Sequence, residues 1–258
     1  MCRGLAPAAG GLAPAAEQYI DEVEIDAALV HKRFPAAAEY VSGIYILARD
    51  YGKVSNSRLA AWTGVSGSAV TQALGRLKRL GLARHARYES IELTEQGRVL
   101  AVKVLRRHYL LEHLLVRFLD YPWEKADDEA KRLQSEISDD LADHLFVRLG
   151  SPQACPHGNP MPGSSVESRL LNAPRLSDAP PGAAVRIIRI TEEGEQIPQM
   201  LDFCHTRGIK PGASFIVLGR QGENIRLGRT WTKGKKDTAA EVEITLDKSL
   251  HIRYETNS

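Results

Sequence analysis

Cysteine is scarce in this chain. Only Cys2, Cys155 and Cys204 occur among 258 residues. Three widely scattered thiols cannot build a disulfide framework, so a stapled secreted scaffold is excluded and a reducing cytoplasm is expected. No run of about 18 apolar residues is present, so no segment reads as a membrane-spanning helix. The opening MCRGLAPAAGGLAPAAEQ has one early arginine and much Ala, Pro and Gly. It lacks the continuous apolar core of a signal peptide and reads as a flexible tail. Aromatics are few at 6%, beside 43% hydrophobic and 26% charged residues, the balance of an ordinary soluble protein. No phosphate-cradling glycine loop is visible, nor a motif that gives a cysteine–histidine hydrolase its orienting Asn or Asp. What remains is long enough for two or three compact units.

A net charge of +2 hides an asymmetry. Residues 31–110 carry fourteen Lys and Arg against five acids, whereas residues 111–150 carry ten acids against five basic residues. The basic block has the electrostatic footprint of a polyanion binder. Basic surfaces also occur on proteins that bind no nucleic acid, so the pattern of elements has to decide.

An N-terminal helix is expected over 16–32, with Ile20, Val23, Ala27 and Val30 at spacings of three and four. Pro35 suits the first turn of the next helix, which runs to about Arg49. Ser55 or Ser57 then caps a helix carrying Leu59, Ala60 and Trp62, which Gly64 stops. Residues 66–81, SGSAVTQALGRLKRLG, follow. Ser66 is a good N-cap, and Val70, Leu74, Leu77 and Leu80 form one apolar stripe. Ser68, Thr71, Gln72, Arg76 and Arg79 are left on the outer face. Two short strands, 82–85 and 90–93, flank a basic turn with Arg84, His85 and Arg87. Helix, turn, helix and basic hairpin make a winged helix-turn-helix. Ser66, Ser68, Thr71 and Gln72 are expected to read or position double-stranded DNA, with Arg76, Arg84, His85 and Arg87 on phosphates or groove. The competing reading is a three-helix bundle with a solvated basic face.

Thr94 caps a long helix reaching about Phe118, and a second helix is expected from about 127 to 149. Such helices can pair with a symmetry mate, placing two recognition helices on successive half-sites. Residues 150–181, rich in Pro, Ser and Gly, read as loop and linker. In the last third the period changes to that of strands: VRIIRI, SFIVLG, VEITL and HIRYE, with a short helix between Pro198 and Thr206.

With these segments in view, the chain resembles the diphtheria-toxin-repressor family of iron- and manganese-dependent regulators. Three stretches carry the likeness: SGSAVTQAL with RLGLARHARYESIELTEQGR, RRHYLLEHLL at 106–115, and HGNPMPG at 157–163. The likeness is good from about Pro35 to Gly163 and looser for the C-terminal strands, which resemble the SH3-like, FeoA-type domain of longer members. It implies an α+β chain with an N-terminal winged helix-turn-helix, a helical dimerisation domain and a small C-terminal SH3-like β-barrel. The expected boundaries are 1–33 for an N-terminal extension and 34–96 for the DNA-binding domain. The dimerisation and metal-binding domain would take 97–163, a linker 164–182 and the barrel 183–258. It further implies a cytoplasmic homodimer, with no membrane partner, that binds palindromic operators when loaded with divalent Mn or Fe.

The resemblance also assigns ligands. His108 and Glu112 match the start of the family's ancillary site, and their i, i+4 spacing puts imidazole and carboxylate on one helix face. Without the family, His108 reads as a core histidine on the stripe between Val104 and Leu111. Asp127 stands where relatives place a further histidine; by itself it reads as a helix-dipole partner. The primary site is altered. Its helix positions hold Lys131, Gln134 and Ser135, and its N-terminal partner position holds Glu39. A protonated lysine cannot ligate and repels a dication. A Lys131–Glu39 salt bridge imitating the loaded state is therefore expected, which opens a second reading: a DNA-binding regulator independent of metal, answering another ligand or a partner. In a third reading Cys155 and His157 serve a cysteine-dependent enzyme or a metal-binding carrier, against the simpler expectation that this loop pair is structural. Glu195, Gln196 and Gln199 are loose candidates for further ligands from the barrel.

Overall fold

The computed structural model of the protein describes residues 30, 33–84, 90–229 and 241–256. The expected helix over 16–32 lies almost wholly outside them, as does the wing tip with His85 and Arg87. The described chain mixes helices and strands, with the helices first. Helix α1 (Ala37–Tyr51) buries Tyr40, Val41, Ile44 and Leu47. Pro35 sits in the turn just before it. Helix α2 (Asn56–Thr63) starts at Ser55, whose hydroxyl accepts from Arg58 N. It ends at Gly64 with φ +67°, a left-handed conformation that glycine adopts at no steric cost. Helix α3 (Gly67–Arg79) starts at Ser66, whose hydroxyl accepts from Ala69 N. Val70, Ala73, Leu74 and Leu77 are its buried stripe. Strands β1 (Ala83–Arg84) and β2 (Glu92–Leu93) pair antiparallel as the wing. Val54, two residues before α2, holds the entry to the wing's return strand. Its N–H donates to Ser90 Oγ at 3.0 Å, and its carbonyl accepts from Ile91 N at 2.9 Å. One core joins all of these to the first turns of the next helix; Leu59 and Leu77 within it are fully buried. Truncating either to Ala costs about 2–5 kcal/mol.

Helix α4 (Glu95–Phe118) starts at Thr94 and runs 24 residues. The second long helix expected over 127–149 is two helices instead. A 3-10 turn (Trp123–Lys125) leads into α5 (Ala126–Leu133), and α6 (Asp139–Arg148) follows. Ser138 explains the break. Its hydroxyl accepts from Leu141 N, and Asp139 and Asp140 fill the first turn of α6, an N-terminus in its own right. Lys131 is therefore helical, whereas Gln134 caps α5 and Ser135 stands in the turn beyond.

Residues 164–182 are not bare linker. They contain α7 (Glu167–Leu171) and a 3-10 turn (Leu176–Asp178), and Leu176 and Ala179 pack into the C-terminal core. That core lies under a sheet of β3 (Ala184–Ile190), β4 (Ser214–Gln221), β5 (Asn224–Arg229), β6 (Val242–Thr245) and β7 (Ile252–Thr256). Two short helices, α8 (Glu192–Glu195) and α9 (Met200–Thr206), separate β3 from β4, and α10 (Leu246–Ser249) separates β6 from β7. The strand order is β6-β5-β4-β3-β7, antiparallel throughout. Four strands match the expected segments; β5 and α8 were not foreseen.

Strand β3 departs from alternation. Its pairing with β7 slips between Ile187 and Arg189, and Ile187, Ile188, Arg189 and Ile190 are all buried. A bulge turns a side chain that would otherwise face away. Here it places Arg189 inside the molecule. The HGNP loop covers the same stretch: Ile190 N donates to His157 O at 2.9 Å. Gly158 makes the close approach possible. Its φ is +92°, and a Cβ there would lie 2.1 Å from Ile188 O.

Candidate metal centre and DNA-reading surface

Ser66, Ser68, Thr71, Gln72 and Arg76 are all exposed on one side of α3, and Arg84 is exposed at the start of the wing. The apolar stripe of the same helix is what turns them outward. Thr71 is held locally, donating to Gly67 O at 2.9 Å and accepting from Asn56 Nδ2 at 3.0 Å. Ser66 and Ser68 lie 2.9 Å apart, oxygen to oxygen. Gln72 is left as the side chain on this face best suited to a bidentate base contact.

The metal-ligating candidates converge from four places. Helix α4 brings His108 and Glu112, α5 brings Asp127, the loop after α6 brings Cys155 and His157, and α8 brings Glu195. His108 Nε2 lies 2.8 Å from Glu112 Oε1 and 3.1 Å from Asp127 Oδ1. Glu112 Oε2 lies 3.0 Å from His157 Nδ1, which is 3.6 Å from Glu195 Oε1. Two ligand triplets have all their donor atoms within 4.8 Å of one another: His108, Glu112 and Asp127, and Glu112, Cys155 and His157. Glu112 is common to both, with its side chain fully buried. His157 Nε2 donates to Trp123 O at 3.0 Å, which turns Nδ1 toward Glu112 as the ligating nitrogen. Cys155 and His157, expected as a structural loop pair, thus stand in the wall of the site. The signal for them was the ACPHGNP segment itself.

Burial makes the electrostatics strong. Burial alone would depress His108, but the Asp127 and Glu112 carboxylates overcome it and lift its pKa to about 10. His157 is likewise lifted to about 9, mainly by the charges of Glu112 and Glu195 acting against burial. Burial works to raise Glu112, yet the His157 charge and the contact with His108 bring it down to about 2. Glu195 is pushed well above the usual carboxylate range, first by burial and then by the neighbouring Asp127 and Glu112 charges. Burial, with Glu112 and Glu195 nearby, pushes the Cys155 thiol well up too. These side chains suit a divalent cation by a direct test. His108 Nδ1 is buried without a hydrogen-bond partner, and Glu112 Oε1 makes no hydrogen bond and is met only by the His108 ring at 2.8 Å, an ion pair that a dication facing the carboxylate can replace.

The altered primary site is not assembled as expected. Lys131 Nζ donates to Asp127 Oδ2 at 2.6 Å and to Gln196 Oε1 at 3.3 Å. The expected bridge to Glu39 is not formed. Lys131 only tempers, from a distance, the rise that burial imposes on the Glu39 carboxyl. Asp127 wins because it lies four residues away on the same helix turn. Among the barrel candidates, Glu195 is buried at the site and Gln196 reaches Lys131, whereas Gln199 stands at the start of α9 with a left-handed backbone.

Residues 34–91 match the family described as Iron dependent repressor, N-terminal DNA binding domain. Residues 94–163 match Iron dependent repressor, metal binding and dimerisation domain. The Iron-dependent repressor IdeR of Mycobacterium tuberculosis is 32% identical over 198 residues, covering 73% of this chain and 86% of the relative. The Diphtheria toxin repressor of Corynebacterium diphtheriae is 31% identical over 194 residues, covering 71% and 84%. Among solved structures, a manganese-dependent transcriptional repressor in complex with manganese superposes with a TM-score of 0.71 at 30% identity, covering 86% of this chain and all of that one. These matches span the winged helix, the paired helices and the centre around His108 and Glu112. The chain therefore belongs to the iron-dependent (diphtheria-toxin) repressor family and is a DNA-binding transcriptional regulator, not an enzyme.

Proposed function

We propose that this chain is a metal-responsive operator-binding homodimer whose cation site is formed by His108, Glu112 and Asp127 together with Cys155, His157 and Glu195. The observation that carries the reading is Glu112, whose fully buried carboxylate is shared by two ligand triplets. The imidazoles and carboxylates suit Mn²⁺ or Fe²⁺, and the Cys155 thiol adds a softer donor. A bound dication would supply positive charge to these carboxylates in place of the protons that they hold on His108 and His157. The protein's own part is to bring four segments to one point, so that loading ties α4, α5, the HGNP loop and α8 together. Manganese titration of the whole chain by calorimetry, with the Glu112→Gln variant alongside, tests this. Binding to wild type and none to the variant is expected; equal binding by both would refute the site.

For DNA, Ser66, Ser68, Thr71 and Gln72 read or position the major groove, and Arg76, Arg84, His85 and Arg87 hold the backbone. The dimer surface is drawn along α4 and α6, where Phe118, Leu119, Leu141 and Val147 are 58%, 63%, 42% and 71% exposed, and two copies would present their recognition helices to a palindromic operator in the cytoplasm. The domains are proposed as 34–96, 97–163 and 183–258, with Leu100, Ala101 and Val104 shared into the first core and Leu176 and Ala179 into the last, and the C-terminal sheet reads as an SH3-like barrel. Supporting that, residues 246–251, four of them in α10, join its two edge strands, a short connection that favours a sheet curled upon itself.

A second reading rests on Lys131. Its ammonium at 2.6 Å from Asp127 already supplies one positive charge beside the centre. A partly metal-independent regulator follows if that charge suffices. Operator binding that survives chelator favours it, and binding abolished by chelator and restored by Mn²⁺ or Fe²⁺ refutes it.

A further inference from the structure

The turn at 191–196 touches the DNA reader as well as the metal centre. It is stiff for local reasons. Thr191 Oγ1 accepts from Gly194 N at 3.1 Å, and Thr191 N donates to His251 O at 2.9 Å, so the turn is capped within itself and its first residue is tied to the entry of β7. From this base three glutamates point different ways. Glu195 goes to the HGNP loop, accepting from Asn159 Nδ2 at 2.6 Å and facing His157.

Glu192 enters a buried charge cluster with the end of α1. Its Oε1 accepts from Arg49 Nη2 at 2.7 Å and from the Tyr109 hydroxyl at 2.5 Å, and its Oε2 accepts from Arg189 Nη2 at 2.6 Å. Arg189 bridges onward to Asp50 at 2.5 Å, and Arg49 Nε pairs with Asp50 at 2.8 Å. All four ionic side chains are at most 8% exposed. Two arginines and two carboxylates cancel, and Asn159 takes the remaining Arg189 Nε at 2.7 Å. Of the cluster's buried polar atoms, only Arg49 Nη1 is left without a hydrogen bond; buried charges need such partners, and removing one strands the rest. Glu193 completes the contact one residue on, accepting from the Tyr51 hydroxyl and from Arg58 Nη2 at 3.4 Å. Arg58 stacks on the Tyr51 ring at 3.5 Å from its centre. Tyr51 ends α1, and Arg58 lies in the first turn of α2, the helix that carries Asn56 against Thr71 of the recognition helix.

We propose that the 191–196 turn is a clasp by which the C-terminal sheet positions the helix-turn-helix for operator binding, with Glu192 and Glu193 as its positioning residues. Because Glu195 sits in the same turn, the clasp also links the proposed cation site to the reader by a path that bypasses Glu39, Lys131, Gln134 and Ser135. That second clause rests on the metal reading above; the first does not.

The test uses the full chain and a duplex selected by the wild-type protein from a random-sequence pool, beside an unselected duplex. Tyr51→Phe and Glu193→Gln each remove one hydrogen-bonding partner at the half-exposed edge of the clasp and leave the buried cluster intact. Each is expected to weaken the selected duplex about fivefold or more, the lower range of a site-to-site coupling, with the unselected duplex unaffected. The double variant should lose no more than either single one, the signature of a shared contact. Amide exchange should rise over Asn56–Thr63 while β3 to β5 stay protected. Wild-type affinity in both single variants, or equal losses on both duplexes, would overturn the clasp. Running each arm with and without Mn²⁺ separates the two readings. A wild type that ignores Mn²⁺ refutes the cation site and leaves the clasp to be judged by the variants. A Mn²⁺ gain that survives undiminished in Glu193→Gln refutes the link through Glu195.

Discussion

The ammonium of Lys131 sits 2.6 Å from the inner carboxylate of Asp127, whose other oxygen faces His108. Asp127 is only 4% exposed, so the pair is anchored on its buried side. The lysine occupies a position where a dication's charge would otherwise be felt, and His108 on the opposite oxygen of Asp127 is held protonated by the same crowd of carboxylates.

Lys131→Met should therefore destabilise the metal-free protein by about 1–3 kcal/mol, because a buried carboxylate oxygen loses its partner. Saturating Mn²⁺ should restore most of that loss through binding to the folded state alone. Thermal unfolding with and without Mn²⁺ measures both. An unchanged melting temperature in chelator would show that Asp127 does not depend on this lysine.

Gln72→Ala should cut discrimination between the selected duplex and single-base variants of it by about 1–3 kcal/mol, the worth of a bidentate base contact. Arg84→Ala should weaken all duplexes alike and lower the salt slope of binding by about one. Competition binding at several salt concentrations distinguishes the two. A uniform loss from Gln72→Ala would place that side chain on the backbone instead.

Glu192 gives the protein an acid-sensitive contact. Burial would raise its carboxyl, but Arg49 and Arg189 bring it from an ordinary 4.5 to about 2. A carboxylate held below its unfolded value stabilises the fold fully above about 4.5, and that stabilisation fades as pH falls toward about 2. Denaturant unfolding followed between pH 5 and pH 2 should show this decline. Glu192→Gln should flatten it while lowering stability at pH 7, since both arginines lose their countercharge. A variant with the wild-type pH profile would remove Glu192 from the account.

Gly158→Ala should cost more than about 1 kcal/mol, since the new methyl meets Ile188 O and the backbone is left-handed. The more telling readout is Mn²⁺ affinity, which should fall because the loop carrying Cys155 and His157 can no longer seat on β3. Unchanged affinity in calorimetry would mean that the loop's seat does not shape the site.

The winged helix was legible in the sequence because its signals are local. Ser55, Ser66 and Thr94 each cap a helix by accepting from an amide three residues on, and the stripe of α3 repeats at helical spacing. The break at Ser138 is as local, but Asp127, Asp128 and Glu129 already mark a helix start upstream, and the spacing predicts one helix from there to 149. Strand β5 carries Ile225 and Leu227 between arginines, too short an alternation to stand out.

The sequence by itself determined the winged helix: where its helices begin, which side chains of α3 stay exposed, and that His108 and Glu112 share a face. Tertiary structure alone decided the company that Glu112 keeps. Cys155, His157 and Glu195 lie 43, 45 and 83 residues away, and no spacing rule links them. They meet because a glycine lets one loop press on a bulged strand, and because burial makes every charge in that contact seek a partner. The same packing decided that Lys131 answers Asp127 and not Glu39, and that the C-terminal sheet reaches back to Arg49, Tyr51 and Arg58. Local rules set what each segment is; desolvation set which distant charges must meet.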